Sequence, residues 1–515
     1  MITFACDMRK LFVIIWSVCA LNAAAQDKHP LLDSLHYRLE MQATLSSGDH
    51  TPLWLNANRY GLSSLKKSNG YWRGAVERPL TADEGRRWGV GYGLDVALAA
   101  GFTSTLVVQQ AYGEVRWHKV LLTMGAKEQP MEMKNQELSS GSQTFGINAR
   151  PIPQVRLSLP DYWTVPFTRQ WLAVKGHLAY GIATDDRWQK DFTDCKSRYT
   201  EHALYHSKAG YLRIGPKNIT FEFGLEMACQ FGGTIHYFQG KNETVIEGDK
   251  SLSAFKNALM PGGDDDFIGN YHNAAGNHLG SWVARLNLDY PKWNLGLYAD
   301  QYFEDNSSML HVSYAGWGEG DEQWVKKDNR YFVHDFKDWM LGAELQLKNF
   351  RFLDNIVLEY LYTKYQGGPV YHDHTAAISE HICGRDGFYN HAYYPGWQHW
   401  GQVMGNPLYR SPLYNDNGHI RVYNNRFVAW HLGLAGHPTE RFHYRFLATW
   451  QHSYGTHIEL FYDPQHSVSL LAEGSLQLKK DWLVRTALGL DTGKTYGDNF
   501  GLQLTVVKQG LFNIR

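Results

Sequence analysis

The feature that most restricts this chain is an alternation of apolar and polar residues with a period of two, recurring along most of its length. In 219–229, Phe221, Phe223, Leu225, Met227 and Cys229 share one face, and Thr220, Glu222, Gly224, Glu226 and Ala228 the other. In 282–290, Trp282, Ala284, Leu286, Leu288 and Tyr290 alternate with Arg285, Asn287 and Asp289. In 339–348, Trp339, Leu341, Ala343, Leu345 and Leu347 oppose Gly342, Glu344, Gln346 and Lys348. In 499–507, Phe500, Leu502, Leu504 and Val506 oppose Asn499, Gly501, Gln503 and Thr505. Successive side chains of a β-strand point to opposite faces, so each segment reads as a strand with one apolar and one polar side. A soluble sandwich alternates in the same way. Segments of about ten residues, with aromatics at strand ends, favour strands that cross a bilayer and carry ring girdles at its two interfaces.

The connections give an independent test. Outer-membrane barrels have short turns on the periplasmic side and long loops outside. Short links fall near Lys479-Lys480, Gly436 to Glu440, Lys348 to Leu353, Pro291-Lys292 and Pro216 to Asn218. Long links fall at 231–281, 304–338 and 366–425, with a shorter one at 453–467. The two kinds alternate, so a periplasmic C-terminus puts every long link outside. Upstream, strands are expected near 90–99, 103–116, 120–127, 152–159, 171–181 and 208–215. The total is about sixteen, or about eighteen if a weaker pair at 36–45 and 70–78 is included, even in either case as such barrels require. Between that pair, 51–67 reads as a small helical or irregular plug, with boundaries near 46–69 and no indication of side. The expected fold is therefore all-β: a single transmembrane antiparallel barrel over 26–515.

Composition agrees. Lys and Arg total 50 against 51 Asp and Glu, a formal charge of −1, whereas a nucleic-acid surface would be basic. Mean hydropathy is −0.42, too low for a bundle of apolar helices but natural for a barrel that hides its apolar band in alternate positions. Residues 1–25 read as a secretory signal peptide: Arg9 and Lys10, an apolar run Leu11 to Leu21, then Ala23-Ala24-Ala25 before Gln26. Cys19 follows the bulky Val18, unlike a lipid-attachment cysteine. After cleavage Cys195, Cys229 and Cys383 remain. Alternation puts Cys229 on the lipid face, and Cys195 and Cys383 in surface loops, where they either pair or stand as small apolar residues.

Several segments resemble a known family: TPLWLNANRYGLSS at 51–64, GSQTFGINARPIPQVRLSL at 141–159, HSKAGYLRIG at 206–215, DNRYFVHDFKDW at 328–339 and EYLYTKYQGGPVYHDH at 359–374. The longest is GRDGFYNHAYYPGWQHWGQVMGNPLYRSP at 384–412. Together they resemble the Wzi capsule-assembly family. The resemblance implies an eighteen-stranded outer-membrane barrel with a helical plug, acting as a lectin that holds capsular polysaccharide at the surface of a Gram-negative cell. One departure from outer-membrane barrels in general is the ending LFNIR, which lacks a terminal aromatic residue.

The candidate glycan-binding residues lie in the longest match. Tyr389, Tyr393, Tyr394, Trp397 and Trp400 cluster there, with Asn390, His391, Gln398 and His399 between them. A sugar presents an apolar C–H face ringed by hydroxyls, and rings flanked by hydrogen-bonding side chains match that chemistry. The alternative is that these rings pack the loop, since so long a link needs a core of its own. His372, Asp373 and His374 have metal-like spacing, but His381 stands at no diagnostic distance, and neither a metal nor a cofactor is expected. Asp264-Asp265-Asp266 lacks the ligand alternation of a calcium loop. No nucleophile, zinc or phosphate-loop motif occurs, so a non-enzymatic role is expected. The competing readings are a porin or polysaccharide-export channel, which an open lumen would mark, and an outer-membrane glycan hydrolase, which a buried carboxylate pair in an outward cleft would mark. The partners expected are surface polysaccharide and outer-membrane lipid.

Overall fold

The computed structural model describes residues 33–262, 275–304, 310–313, 325, 330–333, 338–371 and 382–512. Eighteen antiparallel strands form the wall. In chain order they are β1 (His36–Ser47), β2 (Ser68–Arg78), β3 (Trp88–Ala100), β4 (Leu106–Trp117), β5 (Val120–Ala126), β6 (Gln154–Thr164), β7 (Leu172–Ile182), β8 (Leu204–Ile214) and β9 (Ile219–Phe231). They continue with β10 (Asn277–Asp289), β11 (Trp293–Glu304), β12 (Trp339–Leu347), β13 (Asn355–Tyr362), β14 (Phe427–Thr439), β15 (Phe442–Gly455), β16 (Leu460–Lys479), β17 (Trp482–Gly493) and β18 (Asn499–Leu511). Each pairs with its sequence neighbours. β1 also pairs with β18, Leu39 opposite Lys508 and Ala43 opposite Leu504, and so closes the barrel. Closure leaves no unpaired edge, the condition for a sheet to sit in hydrocarbon.

The alternation sorts as expected. On β18, Phe500, Leu502 and Leu504 are exposed outward while Asn499, Gln503 and Thr505 are buried inside. On β9, Phe221 and Phe223 point out, and Glu226 points in, accepting a bond from the Tyr211 hydroxyl at 2.8 Å. The outward surface is an apolar belt, and rings gather where it meets the short turns. There Trp88 and Trp117 lie 6.2 Å apart across β3 and β4, and Tyr290 lies 4.6 Å from Trp293. Among the described residues no helix is long and apolar enough to cross a membrane; the crossing is made by strands. A closed barrel with an apolar exterior and polar interior belongs in the outer membrane of a Gram-negative cell.

The weaker pair of strands is real, giving eighteen, the higher of the two expected counts. One boundary differs from expectation. The link drawn at 453–467 shrinks to 456–459, because β16 runs on to Leu460 as a paired strand. Asp463, Pro464 and Gln465 look like loop residues, but a strand that projects past the bilayer needs no apolar face. Two further long links, 127–153 and 183–203, open at the same end as the others, the second carrying the helix α2 (Asp186–Thr193).

The lumen is filled. The helix α1 (Leu53–Asn56) lies inside, with Trp54 Nε1 donating to Thr449 Oγ1 of β15 at 3.1 Å and the Leu53 N–H to Asp491 Oδ2 of β17 at 2.9 Å. Gly489 and Gly501 make room for it: a Cβ on either would stand 2.8 Å from Leu55. Around α1 a single apolar core joins Leu138, Phe388, Tyr389, Trp397, Leu408 and Tyr409 to wall residues such as Tyr302 and Leu361.

Cys229 requires a correction. It has the outward parity expected, yet it is fully buried, because a helix from the following link, α3 (Leu252–Leu259), packs over it on the outside of the wall. Its Sγ lies 3.5 Å from His278 Nε2. Cys195 is exposed with a free thiol; the side chain of Cys383, its suggested partner, lies outside the described residues.

Candidate functional site

The long-link end of the barrel is closed by a cap built from three inward segments, 48–67, 127–153 and 386–426. Polar side chains lock them together. Gln402 Nε2 donates to Asn56 Oδ1 at 3.2 Å and Ser63 Oγ at 3.0 Å, Asn148 Nδ2 to the Val403 carbonyl at 3.0 Å, and Asn406 Nδ2 to the Gly141 carbonyl at 2.8 Å. Segment 127–153 is pinned to the wall by charge. Lys134 Nζ lies 2.7 Å from Asp300 Oδ2, both wholly buried. Glu359 accepts from the Ser139 hydroxyl at 2.6 Å and the Ser140 N–H at 2.8 Å. Burying charges is costly unless they are paired, so these bonds bind the segment firmly in one register.

Most of the sequence-predicted glycan residues serve as the interior of this cap. Tyr389 and Trp397 are fully buried, Tyr393, Tyr394 and Gln398 nearly so, and His391 and Trp400 half-buried. Tyr389 stacks at 4.1 Å from Tyr409, donates its hydroxyl to the Gln143 carbonyl and takes a left-handed backbone, φ +64°. Trp397 Nε1 donates to the Thr144 carbonyl at 3.2 Å, and the Tyr394 hydroxyl to the Gly232 carbonyl at 3.0 Å. Asn390 exchanges two bonds with the backbone of Val422. Neither face of Tyr389 or Trp397 is open to a ligand in this arrangement. Their rings do the packing that so long a link requires.

Trp400 differs from its neighbours. The tight hairpin of Gln398–His399 and Gln402–Val403 turns at Trp400-Gly401, both with positive φ, and pushes the indole toward the surface. Three groups fix the turn. The buried Asp185 carboxylate accepts from Gln398 Nε2 at 3.0 Å and from the Trp400 N–H at 3.1 Å. His399 Nδ1 contacts the Arg150 carbonyl at 2.8 Å, which makes it the donor and leaves Nε2, 3.2 Å from the Thr184 N–H, as acceptor. That is a neutral imidazole, in agreement with burial holding its pKa below the ordinary value. Beneath the indole lies Arg150, its guanidinium carbon 4.5 Å from the ring centroid.

Arg150 donates only to neutral oxygens, Thr103 Oγ1 at 2.8 Å and the Gly61 carbonyl at 3.5 Å. Among the described residues it has no ion pair, and burial pushes its pKa down to about 10. Two other arginines at this end of the barrel are alike. Arg198 donates to the Ala392 carbonyl at 2.7 Å, and Arg410 to Asn415 Oδ1 at 2.9 Å and the Tyr414 carbonyl at 2.8 Å. Burial lowers both pKa values as well. Several wall arginines are instead matched with carboxylates, Arg73 with Asp95, Arg285 with Glu344 and Arg445 with Glu473, whereas Arg156 of β6 makes no ion pair among the described residues. Sequence reasoning missed Arg150 and Asp185. Arg150 sits inside a quoted segment, 141–159, yet a lone arginine carries no local signal.

His372, Asp373, His374 and His381, and Asp264 to Asp266, lie outside the described residues. Among the described residues no group of three or more potential ligands is placed to hold a metal.

A family model described as capsule assembly protein Wzi matches residues 46–320. No curated protein matches the sequence. Solved structures of similar outline include OprD of Pseudomonas aeruginosa, at 10% identity, covering 93% of this chain and 95% of that one, TM-score 0.43. OccAB4 of Acinetobacter baumannii is 9% identical, covering 94% and 100%, TM-score 0.42. A loop-deletion variant of OmpT of Vibrio cholerae is 8% identical, covering 92% and 99%, TM-score 0.37.

Proposed function

This chain belongs to the Wzi capsule assembly family, and from that premise we propose that it is a lectin that holds capsular polysaccharide at the cell surface through the cap of its barrel. The observation that carries the reading is the half-buried Trp400 ring lying over a guanidinium that makes no ion pair among the described residues and feels the Asp185 carboxylate only through space. In this reading the indole face opposite the guanidinium stacks on a sugar face, and a cation with no ion pair among the described residues favours a sugar that bears a negative charge. Arg198 and Arg410, held by neutral groups, extend the same preference across this end of the barrel. In this reading Trp400 and His391 make contacts, while Tyr389, Tyr393, Tyr394, Trp397 and Gln398 act as the frame that fixes them.

The test is Trp400→Ala. Loss of a stacked ring costs about 1–3 kcal/mol, by analogy with base–aromatic stacking, or at least several-fold in affinity. A polymer held at several weak sites multiplies the effect. Calorimetric binding to purified capsular polysaccharide is expected to weaken and cell-bound capsule to be shed, with the heat-dependent gel mobility of a folded barrel unchanged. A folded variant that binds as the parent does would remove Trp400 from the site.

A further inference from the structure

The helix α3 lies outside the barrel, on the membrane face of the wall. On β8, His206 and Lys208 share the outward parity of Leu212 and Ile214, and on β9 Cys229 shares that of Phe221 and Phe223. These residues would be foreign to lipid, and α3 covers them. Ala254 and Ala258 of α3 pack with Cys229 and Phe231. The wall also holds the helix by its backbone: the Tyr180 hydroxyl donates to the Phe255 carbonyl at 2.8 Å, and Lys208 Nζ donates to the Leu259 carbonyl at the C-terminal end. A cation there is favourable to the helix dipole. At the other end the Ser251 hydroxyl caps the Ala254 N–H at 3.4 Å.

The height of the helix follows from strand geometry. From Ile219 at the turn end to Cys229, at about 3.4 Å per residue and a tilt near 40°, the climb is roughly 25 Å, the full height of the apolar band of such a barrel. The side of α3 away from the wall therefore lies where hydrocarbon meets headgroups. That side carries Leu252, 90% exposed, Met260, 67% exposed, and the exposed Lys256 between them, which has no ion pair among the described residues. Leu252 and Lys256 are one helical turn apart, so an apolar chain and a cation stand side by side. Lys250 is engaged by Glu247 at 3.5 Å, so among the described residues of this segment Lys256 is the cation free to act outward.

We propose that α3 is an interfacial helix bound to an anionic lipid of the outer leaflet, with Leu252 and Met260 entering the acyl region and Lys256 meeting the negative headgroup. The surface is continuous with the lipid belt of β8 and β9, so the occupant is lipid. Basic residues at an interface favour anionic over neutral lipid.

The test uses the full barrel in vesicles of phosphatidylcholine with phosphatidylglycerol, in a Cys195→Ser, Cys383→Ser background. Nitroxide labels are placed at Leu252→Cys, at Leu212→Cys as a lipid reference and at Asp191→Cys as a water reference. Power saturation is expected to show oxygen favoured over a water-soluble nickel complex at 252, as at 212. Nickel preference at 252, as at 191, would overturn the interfacial placement. In parallel, Lys256→Gln is expected to lower the phosphatidylglycerol-to-phosphatidylcholine ratio retained by detergent-extracted protein about fivefold. An unchanged ratio would overturn the choice of an anionic lipid. Heat-dependent mobility verifies folding of each variant, and neither measurement depends on polysaccharide binding.

Discussion

The Arg150 guanidinium stacks beneath the indole of Trp400, 4.5 Å from the ring centroid, and donates on its far side to Thr103 Oγ1 at 2.8 Å. One side chain thus ties the surface ring to the turn between β3 and β4. Planarity matters here, because a lysine carries the charge but cannot stack or fork its donors. Arg150→Lys is therefore expected to weaken polysaccharide binding several-fold while leaving the barrel folded. Calorimetry of the variant against purified polymer checks it, and full retention of affinity would show that charge alone suffices.

Trp397 should behave oppositely to Trp400 although they stand in the same hairpin. Trp397 is wholly buried against Tyr205, ring centroids 6.0 Å apart. Trp397→Ala should cost the cap about 3–5 kcal/mol through a cavity and lost packing. Protease cleavage within 386–426 should accelerate, with the wall strands still protected by their ladder. Cleavage at the parent rate would contradict the assigned packing role.

The buried pair Lys134–Asp300 offers a coupling test. Removing one partner strands a charge in the lumen, at about 3–5 kcal/mol. Asp300 also accepts from the Gln143 N–H at 3.2 Å, so part of its charge stays solvated by the protein. Lys134→Met alone should destabilise the cap strongly, and Lys134→Met with Asp300→Leu should be milder than the sum of the singles by at least about 1 kcal/mol. Denaturant titrations in lipid vesicles measure this cycle. Strict additivity would mean that the two charges do not interact.

A filled lumen predicts poor conduction. With α1, 127–153 and 386–426 sharing one buried core, no wide aqueous path is left through the described residues. Planar-bilayer recordings should show no steady openings on the order of a nanosiemens, the scale of wide porins. Such openings would revive the channel reading.

Acid should loosen the cap. Burial lowers the pKa of His399, of His391, which also faces Arg198, and of His50, which faces Arg410. Asp185, whose negative charge faces His399, opposes the shift there only in part. With the docked pKa below the undocked value, docking is unpenalised above about pH 6.5. As pH falls below that value the undocked segment takes up protons that the docked one cannot, and stability is lost. Hydrogen exchange of 386–426, corrected for intrinsic rates, should rise between pH 7 and pH 5 while β14 to β18 stay protected. Unaltered protection at pH 5 would rule out these histidines as the cause.

The wall was legible in the sequence because its code is local. Phe500, Leu502 and Leu504 against Asn499, Gln503 and Thr505 state which face meets lipid, since lipid on one side and a polar interior on the other impose one rule at every strand. The site was legible only as a neighbourhood. Trp397 and Trp400 have the same chemistry and almost the same position, and nothing within the segment ranks one as interior and the other as surface. That ranking comes from Thr144, Asp185 and Arg150, contributed by links far away in sequence. Cys229 repeats the lesson on the outside, where parity points it at lipid and α3 then covers it. Alternation along the chain thus determined a membrane barrel and the facing of its strands. Which rings are buried, which cations go unpaired and which part of the wall is covered were decided by tertiary packing, because each depends on partners that no local pattern specifies.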